Sequence, residues 1–314
     1  MSKEKKYLFG PVPSRRLGLS LGVDIVPFKH CPFDCVYCQL GRTTEKTVDR
    51  REYVSAQAVI CELKEYINQG LTADVITLSG SGEPTLNSAI GQMIEGIKKI
   101  TDIPVAVITD AALFDNEQVR QDCSKADIVV PSLDAADSGA FEKINRPEKS
   151  LKIEKIIDGL IKFRNEFSGK FWLEVFMVEG INTDNEQIAK LKEVIEKIRP
   201  DKIQLNTAVR PTAESGIIRI PAEKLQQIAG ELGENCEVIA DYPAVMESEN
   251  LQVQAEQILA MLKRRPCSLE DICAGLHIHR NQALKYLGQF QKNGQISTES
   301  KNGKNFYKAA EIAD

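Results

Sequence analysis

The sequence predicts an α/β chain, built as a partial, open (β/α)6 barrel followed by a small C-terminal winged helix-turn-helix domain. Three observations carry this. Short β-branched runs alternate about six times with helically spaced segments over the first 240 or so residues. The pattern changes near residue 250. The charge changes sign at the same place: residues 251–314 hold nine Lys/Arg against six Asp/Glu, net +3, leaving 31 against 39, net −8, for the rest.

The apolar stretch LGVDIV, residues 21–26, is the first strand and leads into a cysteine-rich segment. After a charged loop at residues 43–51, Val59, Ile60, Leu63 and Ile67 recur at helical spacing and predict a helix over residues 55–68. Residues 74–78 form a second strand, ended by Ser79-Gly80-Ser81-Gly82. Residues 87–100 read as helix, 104–108 and 127–130 as buried strands, and 151–167 as helix. Then come strand 171–178, helix 185–198, strand 202–205, helix 221–232 and a last strand at 237–239. Such alternation implies a parallel sheet with its active site at the carboxyl ends of the strands.

Residues 241–250 lack a period and serve as the linker, so the domains are expected at 1–243 and 244–314. Residues 255–262 are helical and Pro266 stops them; Ser268-Leu269-Glu270-Asp271 is a capping-box start for the next helix, and residues 280–293 make a third, closed by Gly294. Two strands, 295–300 and 305–308, flank Asn302-Gly303, a strong hairpin signal. Three helices followed by a hairpin is the winged helix pattern. Its third helix and wing offer Arg280, Lys285, Lys292, Lys301 and Lys304 to phosphates. His277 and His279 before that helix read first as solvated loop histidines.

Composition narrows the class. With 42% apolar and 27% charged residues the chain is neither disordered nor fibrous, and a net charge of −5 excludes a uniformly basic nucleic-acid coat. The first six residues carry charge without a following apolar core, and no apolar run approaches the roughly 18 residues that cross a bilayer. A cytoplasmic protein with no membrane partner is therefore expected.

Of eight cysteines, three are clustered in Cys31-Pro32-Phe33-Asp34-Cys35-Val36-Tyr37-Cys38. Thiolates at this pitch on one loop can bind three corners of a 4Fe–4S cube and leave the fourth iron open. A zinc knuckle completed by His30, or three unrelated core cysteines, is the alternative, but structural zinc usually takes its fourth ligand from a second Cys pair.

This C-x-x-x-C-x-aromatic-C spacing, with Tyr37 as the aromatic, resembles the signature of the radical S-adenosylmethionine (radical SAM) superfamily. The resemblance covers residues 7–240 and implies a 4Fe–4S cluster on Cys31, Cys35 and Cys38 and S-adenosylmethionine bound beside Tyr37. Ser81-Gly82-Glu83-Pro84 resembles the segment whose backbone carbonyls receive the ammonium of the methionine moiety. Thr109, in Ile108-Thr109-Asp110, and Ser132 and Asp134, in Ser132-Leu133-Asp134, resemble positions whose side chains reach the carboxylate and ribose. Asp110-Ala111-Ala112 departs from the usual Asn-Gly-Ser and leaves the role of Asp110 open. Glu174 and Asn206, on the fifth and sixth strands, are candidates for the barrel interior, with Glu174 assigned to cofactor binding.

FGPVPSRRLG at residues 9–18, LEVFMVEGIN at 173–182 and INRP at 144–147 resemble a branch described as similar to the wyosine-base synthases of tRNA. Those enzymes carry a second cluster on upstream cysteines, and here none precedes Cys31. The resemblance thus implies the branch and not the substrate. Arg15 and Arg16 are candidates for an anionic substrate or for a surface turn paired with acids.

The implied activity is reductive cleavage of S-adenosylmethionine to a 5′-deoxyadenosyl radical for C–H abstraction, driven by a flavodoxin- or ferredoxin-type reductant. Three readings stay open: RNA or tRNA modification with residues 251–314 holding the substrate; modification or activation of a protein, peptide or small molecule; and a non-enzymatic iron–sulfur redox regulator that binds DNA.

Overall fold

A computed structural model describes residues 7–14, 16–70, 73–209, 212–239, 249–264, 266–276, 278–301 and 304–310. In chain order the first part is β1 (Leu8–Ser14), β2 (Gly18–Val23), β3 (His30–Cys31), β4 (Glu45–Lys46), α1 (Ala56–Ile67), β5 (Val75–Leu78), α2 (Ile90–Lys98), β6 (Val105–Thr109) and α3 (Glu117–Cys123). It continues with β7 (Ile128–Pro131), α4 (Ser138–Ile144), α5 (Ile153–Glu166), β8 (Lys170–Phe176), α6 (Asn185–Ile198), β9 (Lys202–Asn206), α7 (Ala222–Leu232) and β10 (Cys236–Val238). The last elements are α8 (Glu249–Arg264), β11 (Cys267–Ser268), α9 (Leu269–Leu276), α10 (Arg280–Lys292), β12 (Ile296–Lys301) and β13 (Lys304–Ala309).

Eight strands form one sheet in the order β1-β2-β5-β6-β7-β8-β9-β10. Every pairing from β2 to β10 is parallel, and β1 runs antiparallel on the outer edge. Among the described strands the two edges do not meet, so the barrel is open, as expected; its seven parallel strands enclose six helical crossovers, as the six alternations imply. Successive side chains on a strand point to opposite faces, and helices covering one face make that face apolar. Leu21, Val23, Ile76, Leu78, Val105, Val107, Val129, Phe171, Leu173, Val175, Ile203 and Leu205 accordingly join the buried core beneath the helices. Their strand neighbours face inward, where a smaller cluster (Leu17, Val75, Ala106, Ile128, Val130) packs near the start of the strands. Polar Ser20, Thr77, Glu174 and Asn206 share that inner face.

Four helix starts are fixed by side-chain caps. Ser55 accepts from Ala58 N–H at 3.2 Å, Asn116 from Gln118 at 2.9 Å, Asp137 from Ala140 at 2.9 Å and Asp184 from Gln187 at 2.9 Å. Besides the two-residue strands β3 and β4, three elements of this half escape the sequence pattern. β1 contains Pro11 and Pro13, which argue against a strand, yet it lies on the edge, where a missing N–H costs nothing. The helices α3 and α4 are seven residues each, too short to display a period.

The C-terminal elements build a second core from Ile258, Leu262, Cys267, Ile272, Leu287, Phe290 and Tyr307, with Leu19 and Leu40 of the first part packed against its margin. Strands order as β11-β13-β12, all antiparallel. The capping box is present, with Ser268 Oγ accepting from Asp271 N–H at 3.2 Å and Asp271 accepting from Ser268 N–H at 2.9 Å. Strands β12 and β13 pair from Ile296↔Ala309 to Lys301↔Lys304, and the expected Asn302-Gly303 turn lies outside the described residues. The expected linker lies outside the described residues up to its last two, and α8 begins at Glu249, six residues before the periodic segment. His277 and Arg15 also lie outside the described residues.

A buried ion pair anchors the chain that returns from the cysteine segment. Arg50 pairs with Asp122 of α3 and donates to Thr85 O at 2.9 Å, their side chains being 15% and 7% exposed. Removing one partner strands a buried charge. Arg50→Ala should therefore lower the unfolding free energy by about 3–5 kcal/mol in urea titration. An unchanged midpoint would contradict that role.

Candidate functional site

The carboxyl ends of β2, β5, β6 and β7 surround the cysteine segment. Residues 31–38 have little regular structure of their own, and their shape comes from bonds to neighbours. Lys29 N–H donates to Ser81 O at 2.6 Å and Glu83 N–H to His30 O at 3.0 Å, so the loop's entry is stitched to the segment after β5. Asp34 N–H donates to Asn145 O and Val36 N–H to Ile144 O, both at 2.9 Å, which ties its middle to the end of α4. Phe33 is buried edge-on against Phe141 (5.3 Å, 82°), and Asp34 accepts from Thr43 N–H at 2.7 Å, closing the loop on itself. Gly82 has no room for a side chain: a Cβ there would run into the His30 carbonyl oxygen. Its smallness serves contact between two pieces of this chain, in addition to any approach by a ligand.

All three cysteines of the segment are free and half-buried, each with a different polar neighbour. Cys31 Sγ lies 3.3 Å from Asp110 Oδ2, Cys35 Sγ 3.5 Å from Asn145 Nδ2, and Cys38 Sγ 3.1 Å from the Lys29 ammonium. Burial pushes the Cys31 thiol well up, helped by the charges of Asp110 and Cys35; burial followed by the charge of Asp134 does the same to Cys35. Cys31 and Cys35 are thus held neutral until a cation compensates them, as metal loading does.

Glu83 is the hub of one half of the site. It is 2% exposed, and its Oε1 accepts from Thr85 N–H (3.0 Å), Thr85 Oγ1 (2.6 Å) and Thr109 Oγ1 (2.6 Å), while Oε2 accepts from Asp110 N–H (2.7 Å). Thr109 Oγ1 in turn accepts from Ala111 N–H at 3.0 Å. Asp110 makes an Asx turn onto Ala112 N–H at 2.9 Å; burial, then the Glu83 charge, raise its pKa well above the ordinary carboxylate value. Ala111 has φ +62°, so the left-handed backbone expected of a glycine persists with alanine in its place.

Asp134 is the hub of the other half. It accepts from Tyr37 OH at 2.5 Å, Asn145 Nδ2 at 2.8 Å and Phe176 N–H at 2.8 Å. Burial raises its pKa to about 6 against these donors. Tyr37 stacks on Phe176 at 3.9 Å and 9°. Ser81 gives both N–H (3.1 Å) and Oγ (2.5 Å) to Asp24. Ser132 is half-buried and bridges Glu174 across the sheet, and Glu174 pairs with Arg16 and accepts from Asn206 at 2.8 Å.

The expected site residues therefore gather in three neighbouring groups, with Cys38 beside Lys29 at their margin: Cys31, Ser81, Gly82, Glu83 and Thr109; Cys35, Tyr37 and Asp134; and Ser132 and Glu174 with Asn206 and Arg16. Asp24, Lys29 and Asn145 were missed. Asp24 had a signal, a lone charge inside the apolar run LGVDIV, and Asn145 stood within a motif noted only for its branch.

A model of the family described as Radical SAM superfamily matches residues 25–192, just over half of the chain and including all three clustered cysteines. The chain belongs to the radical SAM superfamily. A UPF0026 protein of Methanocaldococcus jannaschii is 33% identical over 308 residues, covering 95% of this chain and 94% of that protein. A protein named GTPase Obg of Brachyspira hyodysenteriae is 36% identical over 301 residues, covering 95% of this chain; this chain spans 44% of that protein's length. The solved structure of TYW1 with a lysine–pyruvate adduct bound shares the fold, with a TM-score of 0.52 at 19% identity, 77% of this chain and 80% of that one being covered.

Radical SAM enzymes use a 4Fe–4S cluster and S-adenosylmethionine and need a reductant. The donor set of this radical SAM enzyme fits a cluster. Three free thiols share one loop, and the zinc alternative loses its fourth ligand because His30 turns its ring to Tyr53 (5.6 Å, T-shaped) and the Phe28 carbonyl. No helix among the described residues is long and apolar enough to cross a membrane.

Four donors converge on Glu83, and an amide in its place would turn an NH2 toward one of them. Glu83→Gln should lower the stability of the metal-free chain by about 2 kcal/mol or more, seen as an earlier urea midpoint. A wild-type midpoint would show that the carboxylate does not organise the loop.

Proposed function

We propose that this radical SAM enzyme cleaves S-adenosylmethionine reductively and directs the resulting radical at a C–H bond of an RNA substrate. The observation that carries the cleavage step is the stitching of a three-thiol loop to the Ser81–Glu83 backbone at the carboxyl ends of parallel strands. When bound, the cluster would supply one electron to the sulfonium and so produce a 5′-deoxyadenosyl radical. The protein's own residues bind, orient and shield.

Cys31, Cys35 and Cys38 would hold the cluster, with the Lys29 ammonium beside Cys38 compensating charge. The backbone around Ser81 and Gly82 would receive the methionine ammonium. Glu83 and Thr109 would act through backbone shape, since each spends its polar atoms on the other and on neighbouring amides. Tyr37, with its ring on Phe176 and its hydroxyl on Asp134, would form the wall nearest the cluster. Ser132, Asp134 and Glu174 line the route into the barrel interior, where the Arg16–Glu174–Asn206 group offers polar contacts to a substrate.

The division near residue 243 and the winged helix assignment belong to the same proposal. Three helices and an antiparallel hairpin support it, as does the net +3 of the tail. Arg280 at the start of α10 pairs with Glu270 at 2.9 Å and lies 4.1 Å over the Phe28 ring. The end of the helix that reads bases in such modules is turned onto the barrel here. Contact with RNA would then run through the hairpin and phosphates, and be tolerant of sequence.

Changing any of Cys31, Cys35 or Cys38 to Ala should give iron-depleted chain with no detectable 5′-deoxyadenosine after dithionite reduction. Wild-type-like formation in any of the three would overturn the assignment. For the substrate, two unrelated RNAs should bind with similar affinity and weaken roughly tenfold or more between 50 and 200 mM salt. A flat salt response would favour the second reading, a protein or peptide substrate, which the occupied start of α10 also supports.

A further inference from the structure

The contact between α10 and the barrel falls on the segment that the proposed function gives to S-adenosylmethionine. His279 caps α10: its Nδ1 accepts from Asn281 N–H at 3.2 Å, so the ring proton sits on Nε2. Nε2 lies 3.1 Å from Asp24 Oδ2. Asp24, 9% exposed at the end of β2, is the carboxylate that receives both the N–H and the hydroxyl of Ser81. A Cβ on Gly80 would run into this carboxyl group, so the two pieces of chain lie in contact. The imidazole is fixed from the side as well, stacked on Phe9 at 4.5 Å and 14°. Phe9 occupies the space that Gly22 leaves by having no side chain.

The neighbouring residue grips the opposite flank of Ser81. Arg280 lies over Phe28, and Phe28 precedes Lys29, whose N–H holds the Ser81 carbonyl at 2.6 Å. Two consecutive residues of the C-terminal unit thus bear on Ser81 from both sides: His279 through Asp24 on its N–H and hydroxyl, Arg280 through residues 28 and 29 on its carbonyl. The bond joins residues 255 positions apart. A bond at this point earns its place by setting the shape of one loop.

We propose that His279 is a positioning residue for the cofactor segment: by holding Asp24, the docked C-terminal unit keeps Ser81–Glu83 in the shape that binds the methionine end of S-adenosylmethionine. This rests on the assignment of that segment to the cofactor. The C-terminal unit then completes the cofactor site in addition to any part it plays in holding substrate.

Two isosteric variants of the full chain separate the two nitrogens. His279→Asn keeps an acceptor where Nδ1 caps the helix but is too short to reach Asp24. His279→Gln carries an N–H to the position of Nε2 but gives up the cap. In the metal-free chain, hydrogen exchange of the peptide containing Ser81 should speed up about tenfold in His279→Asn, the scale of one bond to a charged acceptor, and stay near wild type in His279→Gln. In the reconstituted enzyme, His279→Asn should raise KM for S-adenosylmethionine roughly fivefold or more in the cleavage assay while kcat holds, and His279→Gln should restore KM. Equal impairment of the two variants, or an unchanged exchange rate in His279→Asn, would overturn the proposal. If the wild-type enzyme fails to cleave S-adenosylmethionine, the assignment of the site falls, and the exchange measurement alone then decides whether His279 shapes the loop.

Discussion

The site depends on a short, irregular loop being held by backbone bonds to a second irregular segment. Residues 31–38 carry three thiols but almost no regular structure, so their mutual placement is inherited. The Lys29–Ser81 and His30–Glu83 bonds tie the loop to the end of β5, and the Asp34–Asn145 and Val36–Ile144 bonds tie it to the end of α4. Contact this close between two backbones requires a residue without a side chain, which Gly82 supplies. Buried carboxylates then freeze the surroundings: Glu83 gathers β6 and the turn after β5, and Asp134 gathers Tyr37, Asn145 and β8. A buried carboxylate with several donors is stable only while all of them stay in place, so each hub makes local order an all-or-none property.

The parallel sheet explains why these pieces meet. Strands of one direction end on one side, and β2, β5, β6, β7, β8 and β9 each deliver their next residues there: Asp24, Ser79–Glu83, Asp110, Ser132–Asp134, Met177 and Thr207. The apolar outer face anchors the strands beneath the helices, leaving the inner face free to carry Glu174, Asn206, Ser20 and Thr77. The core supplies the rigidity that loops cannot provide for themselves.

Much of this was legible because the signals are local and periodic. The helix at 185–198 and the strand at 202–205 were readable nearly to the residue because each has a cap or a charged boundary and an unbroken apolar stripe. The capping box at Ser268 and the pairing of β12 with β13 were readable from a few residues each. Edge strand β1 was hidden by its prolines, and α3 and α4 by their length. The residues named by motif stand out in the sequence; the residues that hold them do not. Asn145 reaches Cys35 from 110 residues away, and His279 reaches Asp24 across 255, and no spacing rule links them. Lys29 was hidden for another reason: a lysine 3% exposed contradicts the ordinary surface habit of its type.

The tail illustrates how placement changes the meaning of a residue. By composition, Arg280 is one of several cations suited to phosphate, and His279 a solvated loop residue. In the fold, both face the barrel, one on Phe28 and the other between Phe9 and Asp24. The central claim, however, concerns the three thiols and the corner they leave open. Mössbauer spectroscopy of anaerobically reconstituted, iron-57-labelled chain tests it most directly. The account predicts a 4Fe–4S spectrum in which about one quarter of the iron absorption shifts when S-adenosylmethionine is added. A spectrum unmoved by the sulfonium, or zinc bound at the three cysteines in place of iron, would contradict it.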